Sequence, residues 1–474
     1  MHEKLAEALD YIDDRKIAEA AVVKKRRKRL FFRCMAALLA LVLLMNLPYI
    51  PARVNAKEVA VASSTRKPER PDRDEYEVWE DFRVDLDVYD AALQKQKDDA
   101  IAAFDALKPF FTESSGAYVG DTAENRVWSP VNAYIALAML AEVTAGESRQ
   151  QIMDVLNAPD LDTLRTQVGA VWEEVYYNND SNELCNLANS LWLNDSLRYD
   201  QETMDALAYH HYASIYQTDL TSPKAAKALQ AWLNNNTGGL LTDKTSTAGF
   251  PPEAVLTLVS TVYLQAKWSD EFNPAKNTTD PFHTPNGDVT ATFMNKKEMQ
   301  ANYYWGNSFG ALSLFLKNGC KMWFFLPDAD KTPEDVLSEG EYLDILTPDG
   351  EGNPENCKYM KVNLSVPKFD IASSCDFSDI LMELGITDVF DFRTSDFTAI
   401  TADVPVTLTG VNQAARVIID EQGVKAASYM EFPGAGAAAP PEEIIDFILD
   451  RPFVFVIADP HPGMPLFTGV VNEP

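Results

Sequence analysis

Residues Val417–Ile457 read VIIDEQGVKAASYMEFPGAGAAAPPEEIIDFILDRPFVFVI, and they join two β-like runs through a connection far longer than a hairpin needs. From Val424 to Phe432 the residues alternate. Val424, Ala426, Ser428, Met430 and Phe432 share one face, and Lys425, Ala427, Tyr429 and Glu431 share the other. This is the pattern of a half-buried strand. Gly434 to Ala439 carry almost no side-chain bulk and Pro440-Pro441 follow, so this part holds no core of its own. A strand-competent segment is therefore tethered to an exposed tip that proteases can reach.

Composition sets the outer limits. The chain has 474 residues, 46% of them hydrophobic, which is enough for a large core. Its formal charge of −30 argues against a nucleic-acid partner, because displacing counterions from a duplex takes a concentrated basic surface. The conspicuous cations sit at one end, where Lys24–Arg29 (KKRRKR) precede Leu30–Ile50, a run apolar apart from Arg33, Asn46 and Tyr49. The pattern predicts a basic cytoplasmic segment over 1–29 and a membrane-targeting segment over 30–50. At 21 residues the latter is long enough for a spanning signal anchor. Its apolar centre, Cys34–Met45, followed by the small-residue site Val54-Asn55-Ala56, also suits a cleaved signal peptide. Both readings place the rest of the chain outside the cytoplasm, as a single-pass membrane protein or a secreted one. The five cysteines (Cys34, Cys185, Cys320, Cys357, Cys375) show no CxxC spacing and read as small hydrophobes, so neither a metal nor a cofactor is expected.

Residues 51–88, which include STRKPERPDRDEYE, read as a stalk. A globular body over 89–474 then opens with a helix from about Asp90 to Phe110. Helices follow at Pro130 to Gly146, Glu147–Leu156 and Leu161–Tyr177, and shorter ones at Gln201–Tyr209, Ala225–Asn234 and Phe377–Leu384. Strand-like runs occupy Leu184–Leu193, Val255–Gln265, Ala311–Leu316, Met322–Leu326, Tyr359–Val366, Val404–Asp420 and Pro452–Ala458. Long antiparallel strands with helices on one side make an α+β body without internal repeats.

Several stretches resemble the serpins, a family of serine-protease inhibitors, over nearly all of Asp90–Pro474. NRVWSPVNAYIALAMLAEVTAGESRQQIMDVL is similar to the family's early Ser-Pro helix and the Gly-x-(Ser/Thr)-x-x-Gln-Ile step after it. LANSLWL, Thr237-Gly238-Gly239-Leu240, TVYLQAKWSDEFNP, VPKFDI and LGITDVF follow in the family's order. FILDRPFVFVI (Phe447–Ile457) satisfies its C-terminal signature, and PLFTGVVNEP closes the chain.

The resemblance implies helices packed on a large, mainly antiparallel sheet with further sheets and an exposed reactive-centre loop. It also implies a monomer that acts as an inhibitor rather than an enzyme. A target serine protease cuts the loop and forms an acyl-enzyme. The cut loop then inserts as a new central strand and carries the protease with it. Inserting Gly423 to Ala437 would extend that strand by roughly 50 Å at about 3.3 Å per residue. Glu421-Gln422-Gly423 matches the family's hinge start, and Val424, Ala426, Ala427 and Ser428 are small or uncharged enough to slide into a sheet. Family spacing places the reactive bond at Ala437–Ala438, with Ala435, Gly436 and Ala439 as neighbouring alternatives. All are small, which favours elastase-like or subtilisin-like proteases over trypsin-like ones. The gate through which the strand passes is assigned to Ser129, Asn132, Ser260 and Asn412, with Trp268 where the gap first opens. Asn132, Ser260 and Asn412 depart from the Ser, Asn and His usual in the family.

Rival readings rest on less. Gly306-Asn307-Ser308-Phe309-Gly310 matches a hydrolase G-x-S-x-G elbow, but strand pattern continues after it where an elbow needs a helix. A hairpin turn is expected instead. His210-His211 offers adjacent side chains about 100° apart, a poor metal pair. The acidic stretch Asp349–Asn356 fits no EF-hand spacing. The alternative function is a non-inhibitory serpin that serves as a surface binding or scaffold protein.

Overall fold

A computed structural model describes residues 54, 56–64, 68, 70–119, 124–179, 183–240, 248–346, 355–424, 443–459 and 462–474. The basic segment, the membrane-targeting segment Leu30–Ile50, and loop residues 425–442 lie outside these. With the loop go the expected hinge positions Ala426, Ala427 and Ser428 and the expected bond Ala437–Ala438. No helix among the described residues is long and apolar enough to cross a membrane.

A short strand, β1 (Lys57–Ala60), and a long helix, α1 (Trp79–Val119), lead into β2 (Arg126–Trp128), α2 (Pro130–Val143), α3 (Gly146–Val155) and α4 (Leu161–Val175). Then come β3 (Tyr177–Asn179), β4 (Glu183–Asn194), α5 (Gln201–His210), β5 (Ala213–Thr218), α6 (Pro223–Asn236) and β6 (Leu256–Lys267). The second half is mainly β, with β7 (Thr278–Thr284), β8 (Gly287–Trp305), β9 (Phe309–Phe315) and β10 (Lys321–Pro327) ahead of α7 (Pro333–Glu339) and α8 (Glu341–Leu346). It ends with β11 (Cys357–Pro367), β12 (Phe369–Asp376), α9 (Ser378–Glu383), β13 (Asn412–Ile419), β14 (Gly423–Val424), β15 (Ile444–Ile448), β16 (Phe453–Ala458) and β17 (Pro465–Val471).

These strands form a first sheet in the order β1-β5-β4-β6-β14, with β3 also on β4. A second sheet runs β15-β11-β8-β9-β10-β16-β17-β2, with β7 on β8, and β12 pairs with β13 apart from both. Pairing is antiparallel except for β4 with β5 and β11 with β15. The resemblance-based expectation of helices around several mainly antiparallel sheets holds.

Helix α2 is the axis of the core because its sequence, PVNAYIALAMLAEV, is apolar on nearly every side. Twelve of its residues are buried, as a helix apolar all round requires. Ser129 caps it, its Oγ accepting from the Asn132 N–H at 3.3 Å, and Pro130 fills the first turn, where no donor is needed. At the other end Glu142, 4% exposed, accepts from Arg165 Nη2 at 2.6 Å and lies 3.1 Å from His211 Nε2. Burial alone would push the Glu142 carboxyl up, but hydrogen bonds from His211 and Arg165 outweigh it and hold the group at about 2. A carboxyl depressed on folding stabilises above its ordinary value and loses that contribution as pH falls toward the folded one. Unfolding free energy is therefore expected to drop by roughly 3 kcal/mol between about pH 5 and pH 2 through this group. Denaturant titrations at stepped pH check this, and Glu142→Gln should flatten that part of the profile.

Two expectations are corrected at the N-terminal side. The segment read as a stalk is partly docked: β1 pairs with the edge of β5, Lys57 opposite Gln217 and Glu58 opposite Tyr216. Ser63 N–H donates to Ala208 O at 2.9 Å, and Val54 and Ala56 pack on the cluster containing Trp192, Tyr216 and Trp232. KEVAVA is too short to stand out as a strand in sequence, and only the free edge of β5 makes it one. A chain starting at Ser64 should lose about 2 kcal/mol of stability, read by denaturant unfolding. Helix α1 is also longer than Asp90–Phe110, because Phe82, buried against Trp79 at 5.3 Å, anchors turns whose other faces are polar. Of the run expected as a strand over Val404–Asp420, only Asn412–Ile419 is one.

Candidate functional site: a hinge at the mouth of a gap

Beyond Ile419 the chain turns tightly at Asp420–Gly423. Asp420 Oδ1 accepts the N–H groups of Gln422 at 2.8 Å and Gly423 at 3.3 Å. The turn aims Gly423 and Val424 into the first sheet, where they pair antiparallel with Lys267 and Ala266 at the end of β6. Gly423 has φ +141, and a Cβ there would lie 2.4 Å from Lys267 Cα and 2.7 Å from both Ala266 O and Trp268 N. The hinge therefore needs glycine for backbone freedom and for close approach.

Trp268 holds the mouth of the gap. It is buried, its Nε1–H donates to Asp420 O at 2.8 Å, and its backbone N–H donates to Gln422 O at 3.1 Å. Glu421 is pinned by Phe272 N–H on its carbonyl at 2.9 Å and by Lys368 Nζ and Asn277 Nδ2 on its carboxylate, each at 2.5 Å. Burial would raise this carboxyl, but hydrogen bonds from Lys368, its own backbone and Asn277 hold it below its ordinary value.

Below the hinge, β6 and β13 belong to different hydrogen-bonded sheets. The groove between them is lined by Val262 and Leu264 on one bank and Ala415 and Val417 on the other. Ile457 and Phe467 of the second sheet, and Thr237 and Leu240 of the segment after α6, also line it. It holds about 20 Å³, room for one water, so the gap is open to pairing but filled by side chains.

Farther along, Ser129, Asn132 and Ser260 meet. Asn132 Nδ2 donates to Ser260 O at 3.2 Å, and the Ser260 hydroxyl donates to Asn132 Oδ1. The backbone of Asn412 pairs opposite Asp376, and its neighbour Gln413 joins the cluster. Gln413 Oε1 accepts from Ser129 N–H at 2.8 Å, and its Nε2 donates to Ser129 O at 3.1 Å. A one-residue slip reverses the face of every strand side chain. Counting back in twos from the buried Val417 and Ala415 gives Gln413, so alternation places it on their face.

The turn at Asp420–Gly423 paired on β6 and the polar cluster below it lie within residues 112–474, which match the model of one family, "Serpin (serine protease inhibitor)". The chain is a serpin. It is 26% identical over 74% of its length to a horse (Equus caballus) "Alpha-1-antiproteinase 2", covering 82% of that protein. It is 26% identical to "Serpin-ZX" of Arabidopsis thaliana, over 74% of this chain and 92% of the relative. Among solved structures it superposes on the native thermophilic serpin tengpin with a TM-score of 0.67 at 23% identity, covering 78% of this chain and 93% of that one. Arabidopsis AtSerpin1 in its native stressed conformation gives 0.66 at 23%, covering 80% and 98%.

The remaining motifs take structural places in this serpin. Gly306–Gly310 is the β8–β9 turn, closed by Gly306 N–H on Phe309 O at 2.9 Å with Ser308 buried, as the hairpin reading expected. His211 is buried on Glu142, while His210 packs edge-on against Tyr209. Cys185 and Cys320 are buried and Cys357 is half-buried, and no cluster with metal-ligating composition occurs among the described residues. Most of the acidic stretch Asp349–Asn356, and Cys34, lie outside them.

Proposed function

We propose that this serpin inhibits serine proteases as a suicide substrate whose cut loop inserts between β6 and β13. The observation that carries this is the pairing of Gly423 and Val424 with β6, in the antiparallel sense that an inserted strand needs. Continuing the same register would set Ala426 opposite Leu264, Ser428 opposite Val262 and Met430 opposite Ser260. Ala266 and Leu264 are buried, so the loop's apolar set would face the protein interior. That agreement supports an insertion-competent loop, whose inward positions carry no charge to desolvate.

The reactive bond is Ala437–Ala438 in this reading. Its small side chains suit the shallow primary pockets of elastase-like and subtilisin-like enzymes. Loss of a single oxyanion donor slows acyl transfer by about 100- to 1,000-fold, so a dragged and distorted protease stalls as the ester. The inhibitor works as a monomer, on a membrane through its N-terminal segment or released after cleavage. Finding the mature protein in the cytoplasm would overturn that placement.

The test is incubation of the body with an elastase and with a subtilisin, followed by a denaturing gel and mass determination of the cut. A stable adduct with cleavage after Ala437 is expected. Clean cleavage with full recovery of both proteases would favour the non-inhibitory alternative.

A further inference from the structure

The segment after α6 crosses the groove and is fastened on both banks. On the β4 and β6 side, Asn186 Nδ2 donates at 3.3 Å to the carbonyl of Asn236, the last residue of α6, from which the segment starts. Gly238 lies so close to Tyr263 that a Cβ there would fall 2.5 Å from the ring. On the other side, Arg416 of β13 sends Nη1 to Leu240 O at 3.3 Å. The same guanidinium grips Asp370 of β12 through Nε at 2.8 Å and Nη2 at 2.7 Å. The two-pronged pair fixes the plane of the guanidinium and leaves one prong for the carbonyl across the groove, a geometry a lysine ammonium does not reproduce.

Arg416 stands between the buried Ala415 and Val417, so its side chain leaves the opposite face of β13. Two registers converge on it. Extending the β14–β6 register sets Ala427 opposite Tyr263, and extending the Asp420–Gly423 bridge sets Ala427 opposite Arg416. The fastening therefore crosses the row that the incoming chain must occupy fourth after Gly423. We propose that Arg416 is a latch: its bond to Leu240 O must break before the loop advances past Ala426, and it limits how fast the groove admits a strand. The latch rests on the insertion reading above, and it adds a positioning residue that neither touches the target protease nor belongs to the reactive loop.

A hydrogen bond from a charged donor that is lost on the way to insertion retards that step by roughly tenfold or more. The probe is a synthetic peptide of the sequence Val424–Phe432, added to the intact protein, with incorporation followed by native gel and by the rise in melting temperature. Arg416→Ala is expected to take up the peptide about tenfold faster than the parent chain. Arg416→Lys, which keeps a charge for Asp370, should remain fast rather than rescue the latch. Asp370→Asn supplies an independent route if Arg416→Ala does not fold, and should also accelerate uptake. A purely structural arginine would lower the melting temperature and leave the uptake rate unchanged. Equal, measurable uptake by parent and Arg416→Ala overturns the latch alone. No uptake by any variant overturns the insertion reading and the latch together.

Discussion

Gly423→Val is expected to turn the inhibitor into an ordinary substrate: the loop is cut at the normal rate, and the adduct yield falls by roughly a hundredfold. The physical reason is local. At φ +141 a β-branched residue is strained, and its Cβ would fall within 2.7 Å of the Ala266 carbonyl and the Trp268 N–H as well as 2.4 Å from Lys267 Cα. These are backbone atoms of β6 and of the residue that follows it, and they do not move aside as a flexible side chain would. Expelling the hinge at a cost of about 3 kcal/mol slows insertion by about a hundredfold while hydrolysis of the acyl-enzyme continues. The ratio of adduct to cleaved inhibitor on a denaturing gel reads this directly. A yield equal to that of the parent chain would mean that the pairing of Gly423 with Lys267 has no part in trapping.

Trp268→Ala is expected to cost about 4 kcal/mol of unfolding free energy, among the larger single-site losses available in this chain. The side chain is 1% exposed and packs edge-on against Phe272 at 5.9 Å, so its removal leaves a cavity at the mouth of the gap. It also strips Asp420 O of its donor at 2.8 Å. Trp268→Phe keeps much of the packing but not the donor, and should cost about 1.5 kcal/mol. Denaturant unfolding followed by far-ultraviolet circular dichroism separates the two. A loss below about 1 kcal/mol for the alanine variant would show that the turn at Asp420–Gly423 stands without the indole.

Much of the fold was legible because period and burial agree along the chain. The largely apolar VNAYIALAMLAEV segment became the buried helix α2, and FVFVI became the interior strand β16, every residue of which is buried. What stayed hidden depended on partners distant in sequence. KEVAVA pairs only because β5 has an open edge, and β8 runs from Gly287 to Trp305 with polar residues through its middle, which masks its length. In the site, Gly423, Glu421 and Trp268 could be named in advance because each is fixed by a short motif. Gln413 was not singled out by the family motifs, although alternation places it on the face of the buried Ala415 and Val417. Arg416 carries no local signal at all. Its role depends on Leu240 and Asp370, which only the tertiary structure brings to it.

In the proposed mechanism the gap between β6 and β13 accepts the cut loop as a strand. Comparing thermal unfolding of the intact protein with that of the same protein cleaved once within residues 434–439 tests this most directly, without knowledge of the natural target. An inserted strand gains backbone hydrogen bonds on both flanks, at about 1 kcal/mol net each, so the cleaved form is expected to melt on the order of 20 °C higher. An unchanged or lower melting temperature after complete cleavage would contradict insertion.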